Sequence, residues 1–373
     1  RNMDSTDNSQ NKTYDIVSHF ATEGTVADIR PLGNGLINDT YKVTTKEVDA
    51  PDYVLQRVNT AVFADVDMLM DNIAAVTRHI RKKLEAANVT DIDRKVLRFI
   101  PADSGKLYHR EPDGTVWRLM VFIPNAKTYE AVTPEYSRFA GNAFGHFEDM
   151  LVDIPEKLGE VIPDFHNMEF RMKQLREVIA KDPTGRVGED AVKRLLDLID
   201  SDAEEMCKAE RMGREGKLPK RVCHCDTKVN NMMFDEDGHV LCVIDLDTVM
   251  PSFVFSDYGD FLRSAANTTA EDDPDMSHVA FNEEIFKAFT RGYLEGARFL
   301  TPVEIDNLPY AVALFPFMQS VRFLWDYISG DHYWKCKYPE HNLDRARNQM
   351  RLYQCVREHD DMMREFVQSC LKK

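Results

Sequence analysis

Two short polar clusters stand out from apolar surroundings: His224-Cys225-Asp226-Thr227-Lys228-Val229-Asn230-Asn231 and Ile244-Asp245-Leu246-Asp247. Carboxylates and amide carbonyls are hard oxygen donors of the kind Mg²⁺ selects. A carboxylate also accepts the proton of an attacking hydroxyl. Phosphoryl transfer asks little more of a protein than such an acceptor and cations that spread the developing charge. Asn231 follows Asp226 by 5 positions and Asp245 follows Asn231 by 14, the order of base, metal-binding amide and metal-binding carboxylate in the phosphoryl-transfer template. Asp226 is therefore the candidate catalytic base, and Asn231 and Asp245 are the candidate Mg²⁺ ligands. The competing reading is a loop whose Asp and Asn residues only cap turns.

These residues need a hairpin to bring them together. Residues 231–234 and 239–244 read as strands joined by Asp235-Glu236-Asp237-Gly238, a turn marked by Asp-Gly. Earlier in the chain, Gly33-Asn34-Gly35-Leu36-Ile37-Asn38 lies between an apolar lead-in (Val26, Ile29, Leu32) and an alternating exit (Thr40, Tyr41, Val43). The amides of such a turn can cover phosphates, although a plain hairpin reads the same. A third strand at 53–55, a helix over 63–87, and strands at 95–100 and 115–123 complete a small sheet domain. After Pro124 the spacing predicts long helices over 134–152, 166–180, 188–210, 282–297, 305–329 and 343–371. The expectation is an α+β chain of two lobes: residues 1–12 a disordered terminus or tag remnant, 13–124 a β-rich, nucleotide-binding N-lobe, and 125–373 a mostly helical C-lobe with the catalytic loop and acceptor pocket.

Length and composition agree. A chain of 373 residues, 43% hydrophobic and 29% charged, is globular and too long for one core. With 47 Lys+Arg against 63 Asp+Glu the net charge is −16, the wrong sign for nucleic acid or an anionic membrane surface. A cationic substrate is the partner this field would favour, though acidity also serves plain solubility. The longest apolar stretch, 308–318, is interrupted by Pro309 and Pro316 and is too short to cross a bilayer. Seven scattered cysteines suit a reducing cytoplasm rather than a disulfide framework. Cys223-His224-Cys225 has the wrong spacing for a zinc knuckle.

The chain resembles the aminoglycoside phosphotransferase-like kinases, a two-lobed, protein-kinase-like family that includes choline, homoserine and sugar kinases. The resemblance is nearest to the N-acetylhexosamine 1-kinases, through residues 224–231, Ile244-Asp245-Leu246-Asp247-Thr248-Val249-Met250-Pro251, Asp257-Tyr258-Gly259-Asp260, Arg322-Phe323-Leu324 and Lys337-Tyr338-Pro339-Glu340-His341-Asn342. It implies ATP- and Mg²⁺-dependent phosphorylation of an amino sugar at its anomeric hydroxyl, for salvage. It implies Asp226 as base, Asn231 and Asp245 at the metal, the Gly33, Gly35, Asn34 and Asn38 loop at the phosphates, and the Phe122-Ile123-Pro124 segment as the adenine hinge. Arg322 and Tyr333 fall in the sugar-pocket region. Where many kinases carry a phosphate-binding Lys, this chain has Gln56 and then Arg57, so either Arg57 is the replacement or the contact is absent.

Other residues support two readings each. Asp247 is a second metal ligand or a turn cap. Asp257 and Asp260 are expected to hold the catalytic loop by hydrogen bonds, and His224 to be structural; Lys228 is grouped with them as a supporting residue. Arg322 belongs to the pocket or to a buried salt bridge with a neighbour such as Asp326. Tyr333 and Trp334 line the pocket or fill the core. Rival functions are an amino-alcohol or aminoglycoside kinase, a metal-dependent hydrolase and a non-catalytic nucleotide-binding module.

Overall fold

The computed structural model describes residues 4–33 and 39–372. In chain order the elements are α1 (Asp4–Ser18), β1 (Val26–Pro31), β2 (Thr40–Thr45), β3 (Tyr53–Arg57), α2 (Val66–Ala86), α3 (Ile92–Lys95), β4 (His109–Arg110), β5 (Val116–Val121) and α4 (Pro134–Met150). There follow α5 (Met168–Lys181), α6 (Asp190–Met206), α7 (Lys208–Arg214), β6 (Arg221–Cys223), β7 (Met232–Phe234), β8 (Val240–Val243), β9 (Met250–Ser252) and α8 (Phe255–Ala265). The chain closes with α9 (Glu283–Gly296), α10 (Pro302–Asp306), α11 (Leu308–Ser329), α12 (His341–Glu358) and α13 (Asp360–Leu371). No described helix is long and apolar enough to cross a membrane.

The chain forms two compact units. The first takes Arg1–Lys127 together with Asp153–Ile162 and Met233–Asp247; the second takes Thr128–Val152, Pro163–Met232 and Thr248–Lys373. The linear boundary at 124 assigns the two later segments of the first unit to the C-lobe; the fold returns them to the sheet unit.

In the first unit, an antiparallel sheet runs β1-β2-β3-β5-β4. Ile29, Val43, Tyr53, Leu55, Leu119 and Val121 form its core with Ile16, Val17 and Phe20. Every residue of β5 is buried, as expected of a strand covered on both faces. Residues 1–3 lie outside the described residues; over residues 4–12, expected to be disordered, the chain instead forms the start of helix α1. Thr13, Ile16 and Val17 give its last turns a buried face, and once that face is docked, extending a helix backwards through exposed residues is easy. The expected strand at 95–100 is instead the last residue of α3 followed by a docked loop that meets β5 at the Phe99–Met120 bridge. Consecutive Val96 and Leu97 are both buried, which the alternation of a strand on a single face does not allow.

In the second unit, α4 and α9 approach unusually closely. A Cβ on Gly141 would lie 2.2 Å from the Phe289 carbonyl oxygen, and one on Gly292 2.1 Å from that of Arg138; Gly145 and Gly296 are similarly tight. Small residues four apart on both helices let the backbones touch. The helix expected over 188–210 breaks at Cys207 into α6 and α7, and that over 343–371 breaks at His359 into α12 and α13.

Candidate functional site

The candidate catalytic loop follows β6 in the second unit and is gripped from below. Asp257, on α8 and fully buried, accepts the amide hydrogens of His224 and Cys225 at 2.9 and 2.8 Å. Cys225 sits at φ 68°, a left-handed conformation that is costly for a residue with a β-carbon and persists only where the surroundings fix it. The paired amide bonds to Asp257 provide that fixing. Thr227 donates to the Asp257 carbonyl and Thr248 to that of His224, both at 2.8 Å. The His224 ring lies among Phe144 and Phe147 and accepts the Asp226 amide at Nδ1, 3.2 Å away.

Of the candidate reacting groups here, Asp226 is partly exposed and Asn231 is buried. Asp226 retains 38% side-chain exposure, with Lys228 Nζ 3.8 Å from its carboxylate. Asn231 ends a short 3-10 turn and donates through Nδ2 to the Asp226 carbonyl at 2.8 Å. That bond uses the amide's donor side, so Oδ1 is the atom left for a cation. Asp260 pairs with Arg263 at 3.4 Å. Burial, reinforced by the charge of Asp226, pushes its carboxyl up to about 6.

Further along the same unit, Arg322 is 9% exposed and its guanidinium lies 5.1 to 5.9 Å from the rings of Trp334, Tyr333 and Phe165. Its hydrogen bond goes to Gln319 at 3.3 Å. The expected salt bridge to Asp326 does not form. Asp326 instead accepts the amides of His332, Tyr333 and Trp334 and a hydrogen bond from Asn342, which shapes the loop carrying the two aromatics. His341 supports that loop through the Lys337 amide and Asp272. Tyr333 is 59% exposed and so does not fill the core.

Within the first unit, Asp245 sits at φ 57°, and Asp247 is held by Arg118 through two bonds of 2.6 and 3.0 Å. Arg118 also donates to Gln56 at 3.2 Å. Asp247 is thus half of an ion pair rather than a turn cap. Arg57 is half exposed and lies 3.7 Å from Asp39. Gly33 has φ 97°, which glycine alone adopts freely; Asn34, Gly35 and Asn38 lie outside the described residues. In the candidate hinge segment, the Phe122 amide is already donated to the Asp52 carbonyl at 2.8 Å and is not a free donor. Ile123 is buried.

Residues 28–300 match the sequence profile of the phosphotransferase enzyme family. The chain belongs to that family. Among solved structures, an aminoglycoside phosphotransferase from Alicyclobacillus acidocaldarius superposes with a TM-score of 0.60 at 14% identity, covering 95% of this chain and 96% of that one. The amicoumacin kinase hAmiN, in complex with AMP-PNP, Ca²⁺ and Ami, gives 0.55 at 13% identity over 95% and 93% of the chains. Choline kinase LicA from Streptococcus pneumoniae gives 0.51 at 14% over 93% and 98%. At such identities the likeness establishes a kinase-like fold, and specificity must come from the site.

Two residues of this phosphotransferase escape a reading of the sequence. Arg118 sits mid-strand in an otherwise apolar run, and a buried arginine among Leu119, Met120 and Val121 is the signal that betrays it. Glu148, buried near the end of α4, has no local signal at all.

Proposed function

We propose that this phosphotransferase is an ATP- and Mg²⁺-dependent small-molecule kinase that phosphorylates N-acetylglucosamine or N-acetylgalactosamine on the anomeric hydroxyl. The observation that carries the choice of acceptor is the Arg322 guanidinium set among Phe165, Tyr333 and Trp334. A cage for a quaternary ammonium presents aromatic faces to an incoming cation. Here a permanent cation already occupies those faces and repels a second, which argues against choline-like and aminoglycoside acceptors despite the net charge of −16. A planar fork of N–H donors beside aromatic faces suits a neutral polyhydroxylated ring.

Asp226 accepts the proton of the attacking hydroxyl, and the anomeric hydroxyl, the most acidic on a sugar, matches so weak a base. Asn231, through Oδ1, and Asp245, each from its own unit, would be the ligands for Mg²⁺, which would neutralise charge on the phosphates. Asp257 and Thr248 keep the loop rigid so that the base stays aligned with its target. Gly33 opens the phosphate loop, and the hinge segment takes the adenine.

The test is ADP release with a panel of acceptors, followed by phosphorus NMR of the product. N-acetylhexosamines should be consumed and lose their reducing end, with phosphorus coupling to the anomeric proton. Asp226→Asn should lower kcat by about two to four orders of magnitude. A product with a free reducing end overturns the regiochemistry, and turnover of choline in preference to sugars overturns the acceptor class.

A further inference from the structure

Beneath the catalytic loop lies a group of side chains that the reaction scheme leaves unused. Glu148 on α4, Cys223 at the end of β6 and Asp257 on α8 bring polar atoms within 4.8 Å of one another, and all three are buried. Among the described residues neither carboxyl is in an ion pair. The nearby Arg221 is committed to Glu304 by bonds of 3.1 and 2.8 Å. Asp257 accepts two amide hydrogens, a task suited to a carboxylate anion. Two adjacent anions in a dry pocket repel strongly, so one member keeps a proton.

Glu148 is the member that keeps it. Its Oε2 lies 3.7 Å from Cys223 Sγ, while Oε1 and the Tyr293 hydroxyl on α9 are both buried without a well-formed hydrogen bond. Burial first, and the charge of Asp257 second, push the Glu148 carboxyl well up. Burial also raises Asp257, but His224 and the two amide bonds oppose that shift. The groups facing the pair are His224 and Cys225 from the loop, Cys223 and Arg221 from β6 and Tyr293 from α9. The close α4–α9 contact at Gly141, Gly145, Gly292 and Gly296 fixes the helices that carry Glu148 and Tyr293.

We propose that Glu148 is a positioning residue: as a neutral carboxylic acid it donates a hydrogen bond to the Asp257 carboxylate, orienting the anion that grips the His224 and Cys225 amides and so aims Asp226. The proposal rests on Asp226 as the base and not on the identity of the acceptor. Deprotonating Glu148 sets two anions against each other and loosens the grip. Its carboxyl is raised in the fold above the unfolded value of about 4.3. The folded state therefore binds more protons than the unfolded state between those two values, and this carboxyl's contribution to stability falls as pH rises through that window.

Glu148→Gln and Glu148→Ala test it, with N-acetylglucosamine as acceptor and ADP release as readout from about pH 6 to about pH 10. The glutamine supplies an N–H that does not titrate. It should keep kcat within about threefold at neutral pH and remove the alkaline fall seen in the wild type. Alanine should lower kcat about tenfold or more with little change in KM for ATP. Thermal unfolding of wild type and Glu148→Gln across the same range gives a readout that needs no acceptor: the wild type should lose stability relative to the variant as pH rises. If the two share one alkaline limb and parallel stability profiles, or if glutamine is as damaging as alanine, the proposal fails. If Glu148→Ala does not fold, the wild-type and glutamine pair still decides it. A protein that turns over no sugar but shows the diverging stability profiles would refute the acceptor assignment while leaving the protonated pair in place.

Discussion

Arg118 and Arg322 are both buried arginines, 6% and 9% exposed, each on a regular element of its own unit, yet their surroundings are opposite. Arg118 spends its donors inside the protein, two on the Asp247 carboxylate and one on Gln56. Arg322 has aromatic faces around it and a hydrogen bond to Gln319. Burying a guanidinium is expensive, and burial accordingly draws the Arg322 pKa down, with Tyr333 and Asp260 opposing the shift. The first arrangement stabilises a fold. The second keeps donors in reserve and makes sense where a ligand will use them.

Substitution should separate the two. Arg118→Met should have the larger effect on folding, a loss of about 3 kcal/mol, because Asp247 is left charged and without its partner; chemical denaturation measures it. A loss of stability below about 1 kcal/mol would show that the pair is merely superficial. Arg322→Ala should change stability by no more than about 1 kcal/mol while raising KM for the sugar about tenfold or more and leaving KM for ATP in place. Should it instead unfold the protein with unaltered kinetics in the surviving fraction, Arg322 is a packing residue and the contrast collapses. The smallest effect belongs to Tyr333→Phe, about threefold on sugar KM, close to 0.7 kcal/mol. Equal use of ATP and sugar by that variant and the wild type would move Tyr333 out of the pocket.

How far the sequence alone reached depended on distance along the chain. Asp226, Asn231 and Asp245 lie within a single hairpin's span, so their spacing was readable, as were α2 and α4 from their 3.6-residue periods. Their support was not. Asp257 announced itself only through family resemblance, and Glu148 gave no sign because its partners come from β6, α8 and α9, far from it in sequence. Arg118 was hidden in the same way: it reaches Asp247 from the strand beside β3, in register opposite Gln56. In α1, the polar start concealed a helix whose anchor begins only at Thr13.

The α4–α9 contact also bears on how the chain acquires its structure in time. Gly141 and Gly292 are 151 positions apart, so a ribosome must deliver most of the polypeptide before the two backbones can meet, and closing so long a loop is entropically slow to be repaid. Until then α4 carries Glu148 and its apolar face without the cover of α9. The order of synthesis thus makes the surroundings of Glu148 one of the last parts of the molecule to mature, and a nascent chain halted before residue 283 would hold the candidate base on its loop without the α4–α9 packing that fixes Glu148.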